Sequence, residues 1–242
     1  MGGCRARWRG SGESASVSGG EPRETARPAA DRRAAGGAAR RKRTPPGFAD
    51  GPLLAEARRS FDIAEVDTLP PPAVSSAPAW WIAHPRALPP EGLVAIDEHV
   101  RSGGTVLIFA DGLYSGELAH PIGDPRNPPV TSLLTPLLTR WGLVLDAPEA
   151  LSARELQVTA EGQAVTVRSP GRLTIERPQE PSAAASCRLN YGGLVARCDV
   201  GRGHAVVVAD ADMLVEPLID GVAANRTWVI RQLGDLISHQ RG

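Results

Sequence analysis

Cysteine is scarce in this chain. Only Cys4, Cys187 and Cys198 occur, with neither a C-x-x-C pair nor Cys/His ligand spacing, which excludes a disulfide-dense scaffold and a structural zinc ribbon. Aromatic residues make up 4% of the 242 positions, so a core must come from the Val, Leu, Ile and Ala that dominate the 42% apolar fraction. Net charge is absent too: 27 basic and 27 acidic side chains cancel, which argues against a chain that coats nucleic acid or anionic lipid along its whole length. No stretch approaches the roughly 20 consecutive apolar residues of a membrane-spanning helix, so the sequence reads as soluble, without a membrane span.

The overall neutrality hides an asymmetry. Residues 1–45 carry eleven basic and four acidic side chains, ending in Arg40-Arg41-Lys42-Arg43, and Lys42 is the single lysine of the chain. Gly, Ser, Ala, Pro and Arg dominate this leader and branched apolar residues are almost missing, so it buries too little surface to offset its ordering entropy. A disordered, solvated basic leader is expected over 1–45, followed by a globular domain over 46–242. The leader has no apolar central region and so does not match a secretory signal.

From Pro52 the pattern becomes that of a folded domain. Leu53, Leu54 and Ala57 sit at helical spacing, and Phe61 to Val66 alternate as a strand with one buried face. Three continuous apolar runs follow at Ala79–Ala83, Thr105–Ala110 and His204–Ala209, the signature of strands buried on both faces. Between the first two, Leu93, Ile96 and Val100 define a helix face while Glu91, Asp97, Glu98 and Arg101 populate the others, and Gly103-Gly104 supplies the stop. Strand, helix, strand in this order predicts a parallel pair. Leu133, Leu134, Leu137, Leu138 and Trp141 predict another helix, and Trp228, Leu233, Leu236 and Ile237 a last one starting near Asn225. Residues 146–200 carry short alternating segments separated by Glu161-Gly162, Pro170-Gly171 and Pro178, which predicts a small inserted antiparallel lobe.

Two of the apolar runs end in aspartate, at Asp111 and at Asp210 with Asp212, and His84 follows the other. Ligands of open parallel sheets sit beyond the carboxyl ends of the strands, so Asp111, Asp210, Asp212 and His84 are the candidate binding residues. A hard cation held by Asp210 and Asp212 with water is one use of such carboxylates. Capping a following turn is the other, and it is the reading taken here, with no metal or cofactor assigned. Nucleophile chemistry fails on inspection. Asp111-Gly112-Leu113-Tyr114 carries neither Cys nor Ser at the turn after its strand, and Ser115 falls one position too late for G-x-S-x-G. Cys187 and Cys198 fit small buried hydrophobes, and His99 a solvated helix face. No two of the five histidines share a zinc-type helical spacing, and neither G-x-G-x-x-G nor a Walker lysine is present, so the chain is not itself an ATPase. No catalytic residue is assigned.

The segment His84-Pro85-Arg86-Ala87-Leu88-Pro89, continuing through Ala95-Ile96-Asp97-Glu98-His99-Val100 and Gly103-Gly104-Thr105-Val106-Leu107-Ile108-Phe109-Ala110-Asp111, resembles the core of the gliding-motility-type (GldG-like) ABC transporter auxiliary family. Leu137-Leu138-Thr139-Arg140-Trp141-Gly142 and Gly203-His204-Ala205-Val206-Val207-Val208-Ala209-Asp210-Ala211-Asp212, with Asn225, are similar to its later motifs in the same order. The resemblance implies an α/β fold, flavodoxin-like and similar to class I glutamine amidotransferases without their catalytic cysteine: a parallel sheet flanked by helices. It implies a non-catalytic auxiliary domain whose partners are ABC transporter permease and ATPase subunits. Members commonly have a strand ahead of the opening helix and membrane helices, where this chain has its leader. The alternative is a divergent metal-assisted hydrolase using Asp111, Asp210 or Asp212.

Overall fold

The continuous apolar runs take the centre of the sheet because both of their faces are covered. The computed structural model describes residues 3–8, 52–66, 69, 77–116, 118, 120–148, 155–176, 185–214 and 223–239. The strands are β1 (Gly3–Trp8), β2 (Phe61–Val66), β3 (Ala79–Ala83), β4 (Thr105–Phe109), β5 (Leu143–Asp146), β6 (Glu155–Ala160), β7 (Gln163–Arg168), β8 (Arg172–Ile175), β9 (Ser186–Asn190), β10 (Val195–Val200) and β11 (Gly203–Val208). The helices are α1 (Pro52–Ser60), α2 (Pro90–Arg101), α3 (Thr135–Arg140) and α4 (Ala223–His239). Seven strands form one mixed sheet in the order β2-β1-β3-β4-β11-β10-β9, and two small pairs, β5-β8 and β6-β7, lie outside it.

At the centre β3, β4 and β11 run parallel, with Ile82 opposite Ile108 and Val207 opposite Ile108 on the other side. Alternate residues then serve two cores. Trp81, Leu107, Phe109, Val206 and Val208 pack with Leu54 and Ala57 of α1 and Trp228, Val229 and Leu233 of α4. Trp80, Ile82, Val106, Ile108 and Val207 pack with Ile96 and Val100 of α2 and Leu137 and Leu138 of α3. Helices on both faces explain why these three strands show no polar alternation. The fold is therefore α/β, as expected.

Several expectations are corrected. The leader is not unstructured throughout: Gly3–Trp8 is a strand, antiparallel to β2 on one side and to β3 on the other. Cross-strand hydrogen bonds from two neighbours order a segment whose composition argued otherwise. Residues 1, 2 and 9–45, the rest of the leader, lie outside the described residues. The sheet is not wholly parallel, since only β3, β4 and β11 are, and residues 146–200 do not form one lobe. β9 and β10 join the main sheet as an antiparallel edge next to β11, while β6-β7 is a separate hairpin and β8 returns to β5.

Cys187 and Cys198 stand directly opposite each other on β9 and β10 and are disulfide-bonded, so they are not the separate buried thiols expected. Sequence spacing gave no sign of the pair because register, not separation, brings the two together. His99 is not solvated either: its ring stacks on Trp80 at 4.1 Å and its Nε2 faces the Thr105 carbonyl. Asp97, expected on a polar face, is buried where α2 meets α3. Among the described residues, no helix is long and apolar enough to cross a membrane.

Candidate functional site

Three parallel strands that end at one level deliver their next residues to one place. His84 follows β3, Asp111 follows β4 by two positions, and Asp210 and Asp212 follow β11, and all four side chains are buried. An oxygen from each of the three carboxylates lies within 4.8 Å of the others. The four candidate residues are thus brought together, and the signal that found them was position at strand ends.

His84 sits at a positive φ of 37°, a conformation unusual for a non-glycine residue. Its backbone N–H donates to the Phe109 carbonyl at 2.8 Å, locking the β3 end to the β4 end. The ring Nε2 lies 2.8 Å from the Pro129 carbonyl, which can only accept, so Nε2 carries a proton. Burial lowers the His84 pKa and keeps the ring neutral, which leaves Nδ1 as an acceptor for the Ser132 hydroxyl at 2.9 Å. Ser132 Oγ in turn accepts the Asp111 backbone N–H at 2.9 Å. Tyr114 stacks on the imidazole with ring centroids 5.5 Å apart.

Asp111 Oδ1 accepts the Ala211 N–H at 2.7 Å, and its Oδ2 lies 3.5 Å from His84 Nδ1. Asp210 uses both oxygens, accepting from the Met213 N–H at 3.0 Å and from the Arg168 N–H of β7 at 2.7 Å. Asp212 Oδ2 accepts the Ser115 N–H at 2.9 Å and the Ser115 hydroxyl. Turn fixing and capping, the role expected for these aspartates, accounts for all of these bonds. It does not account for Asp111 Oδ2 and Asp212 Oδ1, which are buried and accept no hydrogen bond.

Burial and the nearby Asp212 charge push the Asp111 carboxyl up to about 7. Asp210 lies well above the ordinary carboxylate range, first because it is buried and then because of Asp111. Burial also raises the Tyr114 hydroxyl, with Asp212 and Asp111 adding to the effect. Among the described residues no Arg or Lys side chain pairs with any of the three aspartates. Arg168 offers only its N–H, and its guanidinium turns to Glu155.

This arrangement is not a hydrolytic triad. A triad holds the imidazole by one nitrogen and presents the other to the nucleophile. Here Ser132 and Asp111 both face Nδ1, while Nε2 is occupied by a main-chain carbonyl. The turn after β4 has no room for a larger residue at its apex, since a Cβ on Gly112 would lie 2.5 Å from the Asp146 carbonyl oxygen at the end of β5. Ser115, Ser132 and Tyr114 were missed as members of the cluster because they come from the loop after β4, where no periodicity marks a partner. Asn225 lies apart from the aspartates: its amide brackets Thr166 of β7, donating to the Thr166 carbonyl at 2.7 Å and accepting its N–H at 2.8 Å.

No family model matches the chain, and no curated protein matches its sequence. Solved structures of similar shape include the N-terminal domain of mmIFT52, at 17% identity and a TM-score of 0.48 over 75% of this chain and 88% of that one. They also include the exo-beta-1,4-mannosidase Op5Man5 from Opitutaceae bacterium strain TAV5, at 15% identity and a TM-score of 0.37 over 68% of this chain. The E323A catalytic mutant of Gan42B, a GH42 beta-galactosidase from G. stearothermophilus, follows at 13% identity and a TM-score of 0.36 over 64%. The chain spans 25% of the mannosidase and 20% of the galactosidase. Likeness this low carries no argument about substrate or partner.

Proposed function

We propose that this chain is a non-catalytic binding module, an auxiliary domain of an ABC-type transport system with a flavodoxin-like, amidotransferase-like fold, as the GldG-like resemblance implies. The observation that carries the reading is the buried, nucleophile-free turn at Asp111-Gly112. Where a hydrolase of that architecture would present an attacking atom, this chain spends its polar groups on fastening loops. Asp111, Asp212, His84 and Ser132 fix the segment after β4 against β3 and β11.

The fastened loop supports a docking role. Arg86 donates to the carbonyls of Pro125, Arg126 and Asn127, and Asn127 ties its own amide to His120 and Pro121. On this braced frame Ile122 is 92% exposed and Val130 61%. Apolar side chains held in water by a rigid loop suit a protein partner, since little ordering entropy remains to be lost on binding. The Cys187–Cys198 disulfide favours an oxidising compartment outside the cytoplasm, in keeping with an extracytoplasmic partner of a permease.

The test is cross-linking and capture of the tagged full chain from membranes of its native cells, with the bound subunits identified by mass spectrometry. An ABC permease and its ATPase are expected with the wild type and lost with Ile122→Glu, whose melting temperature stays unchanged. A complex containing neither subunit overturns the reading.

A further inference from the structure

We propose that Asp111, Asp210 and Asp212 form a binding site for a divalent, oxygen-seeking cation, for which Ca²⁺ is the probe. The inference goes beyond the transport role and stands without it.

Three facts converge. The first is the pair of leftover oxygens. Asp111 Oδ1 and Asp212 Oδ2 are consumed by the Ala211 and Ser115 donors, yet Asp111 Oδ2 and Asp212 Oδ1 are buried with no partner, on residues each 1% exposed. Buried acceptors are almost always satisfied, and two orphans in one cluster point to a missing ligand that is positive. The second is charge. Three carboxylates crowd one site, and no Arg or Lys side chain among the described residues answers them. The Nε2 of His84 is engaged by the Pro129 carbonyl.

The third is spacing. The cluster offers one oxygen per aspartate within 4.8 Å of one another. Two oxygens on one hard cation stand no more than about 4.0–5.2 Å apart at metal–oxygen distances of about 2.0–2.6 Å, so three oxygens this close can share one ion. Asp210 takes part although both its oxygens already accept an N–H, because each carboxylate oxygen keeps a second lone pair. A cation there joins the ends of β4 and β11, and through Ser115 the loop that follows β4.

The test uses the purified full chain, stripped with a chelator. Equilibrium dialysis against Ca²⁺ is expected to show one ion per chain, and Ca²⁺ at about 100 times its Kd is expected to raise the melting temperature by about 5–10 °C. Asp111→Asn with Asp212→Asn is expected to abolish the Ca²⁺ response. Absence of bound Ca²⁺ in dialysis of the wild type overturns the site and assigns the orphan oxygens to a shared proton. Should the double variant fail to fold, the wild-type stoichiometry decides alone. Loss of the permease partner leaves ion binding intact, so the two proposals fail separately.

Discussion

Removing the Asp97 carboxylate should cost this fold several kcal/mol, because it joins two helices through a buried indole. Asp97, on α2, accepts from Arg101 Nε at 2.9 Å through both oxygens, from Arg140 Nε at 2.9 Å and from Trp141 Nε1 at 2.8 Å, and so joins α2 to the end of α3. The two guanidinium groups are 25% and 44% exposed and regain water when the carboxylate goes. The Trp141 indole, 1% exposed, does not. Leaving that buried donor unpaired costs about 1–3 kcal/mol, and loss of the charge-assisted bonds adds about 1–2 kcal/mol. Asp97→Ala is therefore expected to destabilise by about 3 kcal/mol, or about 6–12 °C in melting temperature. Asp97→Asn, which keeps an acceptor for Trp141, should lose about half as much. Urea unfolding followed by tryptophan fluorescence measures both. A loss under about 0.5 kcal/mol for Asp97→Ala, or an Asn variant as damaged as the Ala variant, would refute the account of how α2 and α3 are joined.

Acidification tests the same carboxylate. Burial works to raise the Asp97 pKa, but the bonds from Arg101, Trp141 and Arg140 together outweigh it and hold the group below its ordinary 3.8. A depressed folded-state pKa contributes stability that is present above about pH 4 and lost as pH falls through the folded value. The acid limb of the stability profile should flatten in Asp97→Asn, and an unchanged limb would count against it. Gly203→Ala places a Cβ 2.1 Å from the Gly104 carbonyl oxygen and 2.2 Å from that of Val100, backbone on both sides, so a loss of about 3 kcal/mol or failure to fold is expected from circular dichroism melts. Reduction of Cys187–Cys198, which are 11 residues apart, should lower stability by about 3 kcal/mol, and a Cys187→Ser, Cys198→Ser variant should be insensitive to dithiothreitol. Identical melts of the wild type with and without reductant would contradict the pairing.

Elements with a one-dimensional signature were legible in the sequence. The apolar runs of β3, β4 and β11, the Ile96–Val100 face of α2 and the Trp228–Ile237 face of α4 all follow from local periodicity. Because side chains just past parallel strands share one edge, Asp111, Asp210, Asp212 and His84 could be grouped before any coordinates. What was not legible depends on pairing. β1 comes from an Arg-rich leader whose composition opposes order, and only its neighbours β2 and β3 make it a strand. Register alone sets Cys187 against Cys198. Ser132 and Ser115 act through a loop that folds back on the strand ends, and Asp97 looked like one more charge on a solvated face until Arg140 and Trp141 arrived from α3.

A crystal structure of the full chain is the most direct measurement, because convergence of the strand ends underlies every functional statement made of this protein. It should show β3, β4 and β11 as parallel neighbours, with His84 bonded to Ser132 and the three aspartates gathered beneath the loop. Aspartates splayed into solvent, or the three strands divided between different sheets, would contradict it.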